Sequence, residues 1–274
     1  MAGKKCFRLF SILLLSMLLA LIGACGNANS TETVREEGAG GTSSEEMEGI
    51  ITVSAAASLT DAMNDIARLF KEENPGVQVD YNFGGSGALR QQIMQGAPVD
   101  LFFSASASDF QAVVEEGYID EENALNLLAN ELVLITSKGS KTVTSFDDLS
   151  NAKQIAIGNP ESVPAGKYSV EAYKSMGIME ELEELLVFAE DVRAVLTYVE
   201  TKNVDAGTVY RTDAMISEKV EIVDMAPAES HESIIYPVGV VNHSDNEDAV
   251  KAFYEYLQTD TARNVFEEYG FAVY

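Results

Sequence analysis

The chain is short of the side chains that usually carry chemistry. Its 274 residues include two cysteines, two histidines and no tryptophan. Both cysteines, Cys6 and Cys25, fall near the start, so the body of the chain has no thiol pair for a disulfide, a metal site or catalysis. His231 and His243 lie in the polar stretches Glu229-Ser-His-Glu232 and Asn242-His-Ser-Asp245. Two scattered histidines without cysteine do not make a zinc set. Positive charge is scarce too: 18 Lys and Arg stand against 44 Asp and Glu, for a net charge of −26. Such a body is a poor partner for nucleic acid or an anionic lipid surface. The acids are spread along the chain, as in Glu180-Glu181 and Glu183-Glu184, and read as solvated helix faces. No internal repeat of fixed period is found.

What is present starts with a leader. Lys4, Lys5 and Arg8 precede an almost wholly apolar run from Phe10 to Gly23. The run is too short for a comfortable membrane span and turns polar after Cys25, as a secretory signal does. Ile22-Gly23-Ala24-Cys25 resembles the bacterial lipobox, which implies removal of residues 1–24 and a diacylglyceryl thioether on Cys25. Loss of the three leader bases leaves 15 basic against 44 acidic residues, a mature charge of −29. Residues 26–48 are Gly, Asn, Ser, Thr, Ala and Glu with little that is apolar. They cannot bury surface, so residues 25–48 are expected to be a flexible tether. From Gly49 onward 226 residues remain, enough for one large or two modest domains at about 150 each.

Strands and helices alternate through this body. Strands are expected near 50–53, 77–81, 99–104, 131–136, 154–157, 206–210, 220–224 and 234–241. Helices are expected near 58–70, around Leu89 and Ile93, and over 108–116, 165–176 and 191–202, with two more closing the chain. Leu132-Val-Leu-Ile135 is continuous and reads as a strand buried on both faces. The alternation argues for an α/β fold with largely parallel sheets under helices, where ligands sit at the carboxyl ends of strands.

Four helix starts there carry no bulky side chain. They are Ala55-Ala-Ala-Ser58, Phe83-Gly-Gly-Ser-Gly-Ala88, Val163-Pro-Ala-Gly166 and Ala189-Glu-Asp-Val192. Ser58, with Asp61 three residues on, suits an N-cap, and Ser86 suits another. Two glycines of the 84–87 loop would let the backbone approach a ligand closely. Each start exposes unpaired N–H donors at the positive end of a helix dipole. Plain capping explains any one of them; all four converging would build a donor-only cavity for a small anion.

Five stretches in order resemble the molybdate-binding protein of bacterial ABC importers: Ile51 to Thr60, Gly96 to Ala105, Gly158 to Gly166, Glu190-Asp-Val-Arg193 and Ala252 to Leu257. The match spans the whole expected body, from about Gly49 to Tyr274. The resemblance implies a two-lobed periplasmic-binding-protein type II fold, each lobe a mixed, mostly parallel sheet flanked by helices, with the ligand in the interlobe cleft. Lobe 1 would be 49–130 plus 237–274 and lobe 2 would be 131–236, hinged near Glu131 and Tyr236. Carried over by motif, the ligand-binding residues would be Ser58, Ser86, Ala165, Val192 and Tyr210. The serines would offer hydroxyl and amide, Ala165 and Val192 their amides, and Tyr210 its hydroxyl. The glycine-rich loop at 84–87 and Ser54 depart from the usual family pattern. Molybdenum would be present only as the bound oxyanion, with no cofactor and no catalysis. The implied protein is a monomeric receptor outside the cell, held to the membrane by the Cys25 lipid, handing molybdate or tungstate to an importer permease. Molybdate, tungstate and sulfate only accept hydrogen bonds, whereas hydrogen phosphate must also donate one. A donor-only pocket leaves that proton unpaired at about 1–3 kcal/mol.

Other readings stay open at this level. A receptor for another tetrahedral oxyanion such as sulfate fits the same donors. Gly84-Gly-Ser-Gly-Ala88 nearly fits a serine-hydrolase elbow but lacks the last glycine. Arg90, Arg193 and Arg211 could touch an anion directly, though solvated helix faces are the expected places for them. An adhesive or structural lipoprotein would bind no small ligand.

Overall fold

The computed structural model describes residues 47–242 and 246–274. The leader, Cys25, residues 25–46 of the expected tether and His243 lie outside the described residues. Met47 corrects the tether's end, because its half-buried side chain already packs against the core.

The chain runs β1 (Gly49–Ala56), α1 (Thr60–Glu73), β2 (Val77–Gly84), α2 (Ser86–Met94), β3 (Leu101–Phe103), α3 (Ala107–Glu115) and β4 (Ile119–Ala129). It then crosses over into β5 (Leu132–Ser137), β6 (Ile155–Gly158), α4 (Pro164–Ser175), α5 (Met179–Leu182), β7 (Leu186–Ala189), α6 (Val192–Glu200), β8 (Ala206–Tyr210), α7 (Arg211–Met215) and β9 (Val220–Met225). It returns as β10 (Ile235–Val241), α8 (Glu247–Tyr256), α9 (Asp260–Glu268) and β11 (Ala272–Val273).

These elements make two mixed α/β lobes, with sheet orders β11-β4-β10-β3-β1-β2 and β7-β6-β8-β5-β9. In the first, β1 pairs in parallel with β2 and β3, while β10 runs antiparallel between β3 and β4. In the second, β6 pairs in parallel with β7 and β8, while β5 runs antiparallel between β8 and β9. Each sheet thus holds one reversed interior strand, and it is the strand by which the chain enters from the other sheet. Ile235 and Tyr236 pair with Ala129 and Leu128. They therefore belong to the first sheet, which moves the expected 236/237 boundary a little earlier.

Burial explains most of the elements. Met63, Ile66 and Phe70 give α1 its buried face, and Phe70 packs edge-on against Phe253 and Tyr256 at 5.0 and 5.2 Å. Every residue of β5 is buried, as its continuous apolar run requires. Five elements are absent from the sequence reading: β4, α5, β7, α7 and β11. β4 begins with exposed Asp120, Glu121 and Glu122, which mask it, yet its far end buries Leu127 and Leu128 and is paired on both sides. β7 is a four-residue edge strand, and α7 is little more than one turn.

Register places the strand ends that matter side by side. Ala56 lies beside Gly84, Ala55 beside Phe103, and Gly158 beside Ala189. The carboxyl ends of β1, β2 and β3 in one lobe, and of β6 and β7 in the other, thus each feed a helix start.

Candidate functional site

The site is built where those strands end. After β1, Ala57–Leu59 forms a single 3-10 turn, so α1 starts only at Thr60. Ser58 therefore does not cap that helix, and Asp61 makes no box with it. The Ser58 hydroxyl instead lies 2.9 Å from the Tyr236 hydroxyl. Ser86 is not a cap either. It is the first residue of α2, after Gly85, and its Oγ accepts the Ala105 amide at 2.9 Å.

In the other lobe, Val163 precedes α4 and Pro164 opens it. Proline suits that position because it has no N–H to leave unpaired, so Ala165 is the first to offer one. The start of α4 rests directly on the end of β6. A Cβ on Gly166 would fall 1.9 Å from the Gly158 carbonyl oxygen. Asp191 caps α6 by accepting the Ala194 amide at 2.8 Å. The Val192 amide, first in that helix, has no carbonyl of its own helix to bond. Tyr210 ends β8 and is 1% exposed. Its hydroxyl has no hydrogen-bond partner among the described residues. Burial holds its pKa well above the usual phenol range, so the hydroxyl keeps its proton and can donate.

All five sequence-derived residues, Ser58, Ser86, Ala165, Val192 and Tyr210, line one cavity. The cavity is small, with a volume of about 10 Å³. That is below the roughly 300–1,000 Å³ of pockets for drug-sized ligands. Ala56, Ala57 and Ala105 complete a narrow wall, and no lining residue is charged. Larger depressions elsewhere, such as one of about 530 Å³ beside α3, are lined by none of these donors. The arrangement offers hydroxyls and helix-start amides to a guest that only accepts, which is the chemistry of a small deprotonated oxyanion.

The two lobes meet around the cavity. The Gly87 amide donates to the Ser162 carbonyl at 3.0 Å. A Cβ on Gly85 or Gly87 would meet Ser162 backbone atoms at 2.6 and 2.9 Å. These glycines therefore serve lobe-to-lobe approach, and Gly85 also lines the cavity. Arg193 is corrected as well: it is no solvated helix residue. Its Nη2 lies 2.6 Å from Asp61 of the first lobe and its Nε 2.9 Å from the fully buried Asp213 of its own. Burial pushes the Asp213 carboxyl up to about 7, against the opposing pull of Arg193 and of the Tyr210 amide. With a carboxylate on either side, Arg193 gives the cavity no free cation. Arg90 pairs with Asp109 and Arg211 with Glu131, and neither lines the cavity.

Serine hydrolysis finds no support in this geometry. Ser86 spends its oxygen on a backbone amide, and the Nδ1 of His231 faces the Glu232 carbonyl at 2.7 Å. No cluster of three His, Cys, Asp or Glu side chains among the described residues is placed to hold a metal ion. Sequence reasoning missed the contacts of Tyr236 with Ser58, of Asn130 with Tyr236 and of Arg193 with Asp61, which span 178, 106 and 132 residues, so no local pattern reveals them.

Comparison with known proteins agrees with the architecture. The family described as bacterial extracellular solute-binding protein matches residues 51–272. A Bacillus subtilis protein named "Putative ABC transporter substrate-binding lipoprotein YvgL" is 42% identical, over 97% of this chain and 98% of its own. The Escherichia coli molybdate-binding protein ModA is 42% identical, over 82% and 90%. Among solved structures, the "substrate binding domain of putative molybdenum ABC transporter" from Clostridium difficile superposes with a TM-score of 0.64 at 40% identity. That match covers 81% of this chain and 98% of the other.

Proposed function

We propose a specific cargo for this chain, which belongs to the bacterial extracellular solute-binding protein family: it captures molybdate, or tungstate, and delivers it to an ABC importer. One observation carries the reading. Ser58, Ser86, Ala165, Val192 and Tyr210, drawn from both lobes, line one small cavity with no charged side chain, and the buried Tyr210 hydroxyl has no partner among the described residues. The names of the most similar relatives agree with it. A dianion held by such donors is neutralised by oriented dipoles at contact distance, which salt screens little.

In this reading the two lobes, with Ile235 and Tyr236 belonging to the first, close on the anion. Contacts from both sides favour the closed state, and that state is what the permease recognises. No bond in the anion is made or broken. The lipid on Cys25 would keep the receptor at the outer face of the cell membrane, consistent with the lipoprotein name of the Bacillus relative. Calorimetric titration of the purified protein with molybdate, tungstate, sulfate and phosphate tests the reading. Dissociation constants at or below about 1 μM for the first two, and none measurable for phosphate, are expected. Equal binding of sulfate would make it a general oxyanion receptor, and no binding of molybdate would end the reading.

A further inference from the structure

Ser58 and Ser86 serve an anion only if each keeps its proton turned toward it, yet a hydroxyl accepts as readily as it donates. For Ser86 the main chain decides. The Ala105 amide occupies its oxygen at 2.9 Å and can only donate. For Ser58 the partner is another hydroxyl, Tyr236, and either oxygen could be the donor.

The groups behind Tyr236 break that tie. Asn130 Oδ1 accepts the Glu131 amide at 2.9 Å. This fixes the side-chain amide with Nδ2 toward Thr212 Oγ1 at 2.9 Å and the Tyr236 hydroxyl at 3.2 Å. Nδ2 has only protons to give. Tyr236 is fully buried, and among the described residues its hydroxyl has two partners, Asn130 and Ser58. Were it to accept from both, its own proton would be buried without a partner, a costly state. Accepting from Asn130, it donates to Ser58, and the Ser58 proton is left for the cavity. Neither Asn130 nor Tyr236 lines that cavity.

We propose that Asn130 and Tyr236 are positioning residues forming a one-way hydrogen-bond relay that locks Ser58 as a donor, and that this relay sets the preference for fully deprotonated oxyanions over those that still carry a proton. The proposal rests on the functional reading above, since it assigns the selectivity of the same site.

Two variants test it. Tyr236→Phe deletes the relay and frees the Ser58 hydroxyl to accept. Asn130→Asp, nearly the same shape, turns a donor into an acceptor. Tyr236 then donates to residue 130 and draws the Ser58 proton away from the cavity. Molybdate affinity is measured by calorimetry and inorganic phosphate affinity by its displacement of molybdate. The relay predicts that the molybdate-to-phosphate affinity ratio falls at least tenfold in both variants, and further in Asn130→Asp. A purely structural role would lower both affinities together and leave the ratio unmoved, which would overturn the relay while the cargo stands. Wild-type protein that fails to bind molybdate would instead overturn the cargo reading, and the relay with it. Should Tyr236→Phe fail to fold, the ratio in Asn130→Asp decides alone.

Discussion

Tyr210 shows how a single residue can oppose stability and function. Its ring packs edge-on against Tyr236 at 5.8 Å, but its hydroxyl is buried without a partner among the described residues. Such a group costs about 1–3 kcal/mol until something accepts its proton. Tyr210→Phe should therefore leave the anion-free protein as stable as before, or more so. It should weaken molybdate binding by about 1.5–3 kcal/mol, the range for a hydrogen bond to a charged group. Thermal melting without anion and calorimetry with it separate the two effects, and an unchanged affinity would remove Tyr210 from the site. Ser58, Ser86, Ala165, Val192 and Tyr210 were legible in the sequence because each sits in a short motif at an element's end. Their supports were not. Ser58 is held by Tyr236, 178 residues away, and Arg193 reaches Asp61 across 132 residues. Local spacing holds no trace of such pairs, so Arg193 read as an ordinary surface base.

At the scale of elements, helix starts supply the amides and glycines set how closely they approach. The start of α2 abuts Ser162 through Gly85 and Gly87. Within a helix, alanine is favoured over glycine by about 1 kcal/mol, so Gly87→Ala should not weaken the first lobe. The added methyl would nonetheless meet Ser162 backbone at 2.9 Å and hold the lobes apart. Molybdate affinity is expected to fall at least tenfold, about 1.4 kcal/mol, while the anion-free melting temperature stays level or rises. An affinity equal to wild type would mean that the contact is dispensable for closure. The same scale shows what element reading can and cannot see. α1 and β5 announce themselves by a helical stripe and by an unbroken apolar run. β4 hides behind its exposed acids because its stability comes from the strands on either side.

For the whole molecule, alternating strands and helices were enough to indicate an α/β fold, while the division into two lobes was implied by the family resemblance. The order of strands within each sheet was not readable, because β10 joins β3 and β4 from the far end of the chain. The reversed interior strands, β5 and β10, follow from that pairing and tie each lobe to the other. The full sequence carries a net charge of −26, and yet the cavity is lined only by neutral groups. Arg193, next to the lining residue Val192, is occupied by Asp61 and Asp213 on its two sides. Capture of a dianion by such a molecule depends on dipoles brought together by lobe closure, not on net charge. A crystal structure of the protein with bound molybdate tests that claim most directly. The account predicts oxygens about 2.7–2.9 Å from the Ser58, Ser86 and Tyr210 hydroxyls and the Ala165 and Val192 amides, with Arg193 still on its carboxylates. An arginine or lysine nitrogen gripping the anion, or an anion seated outside this cavity, would contradict it.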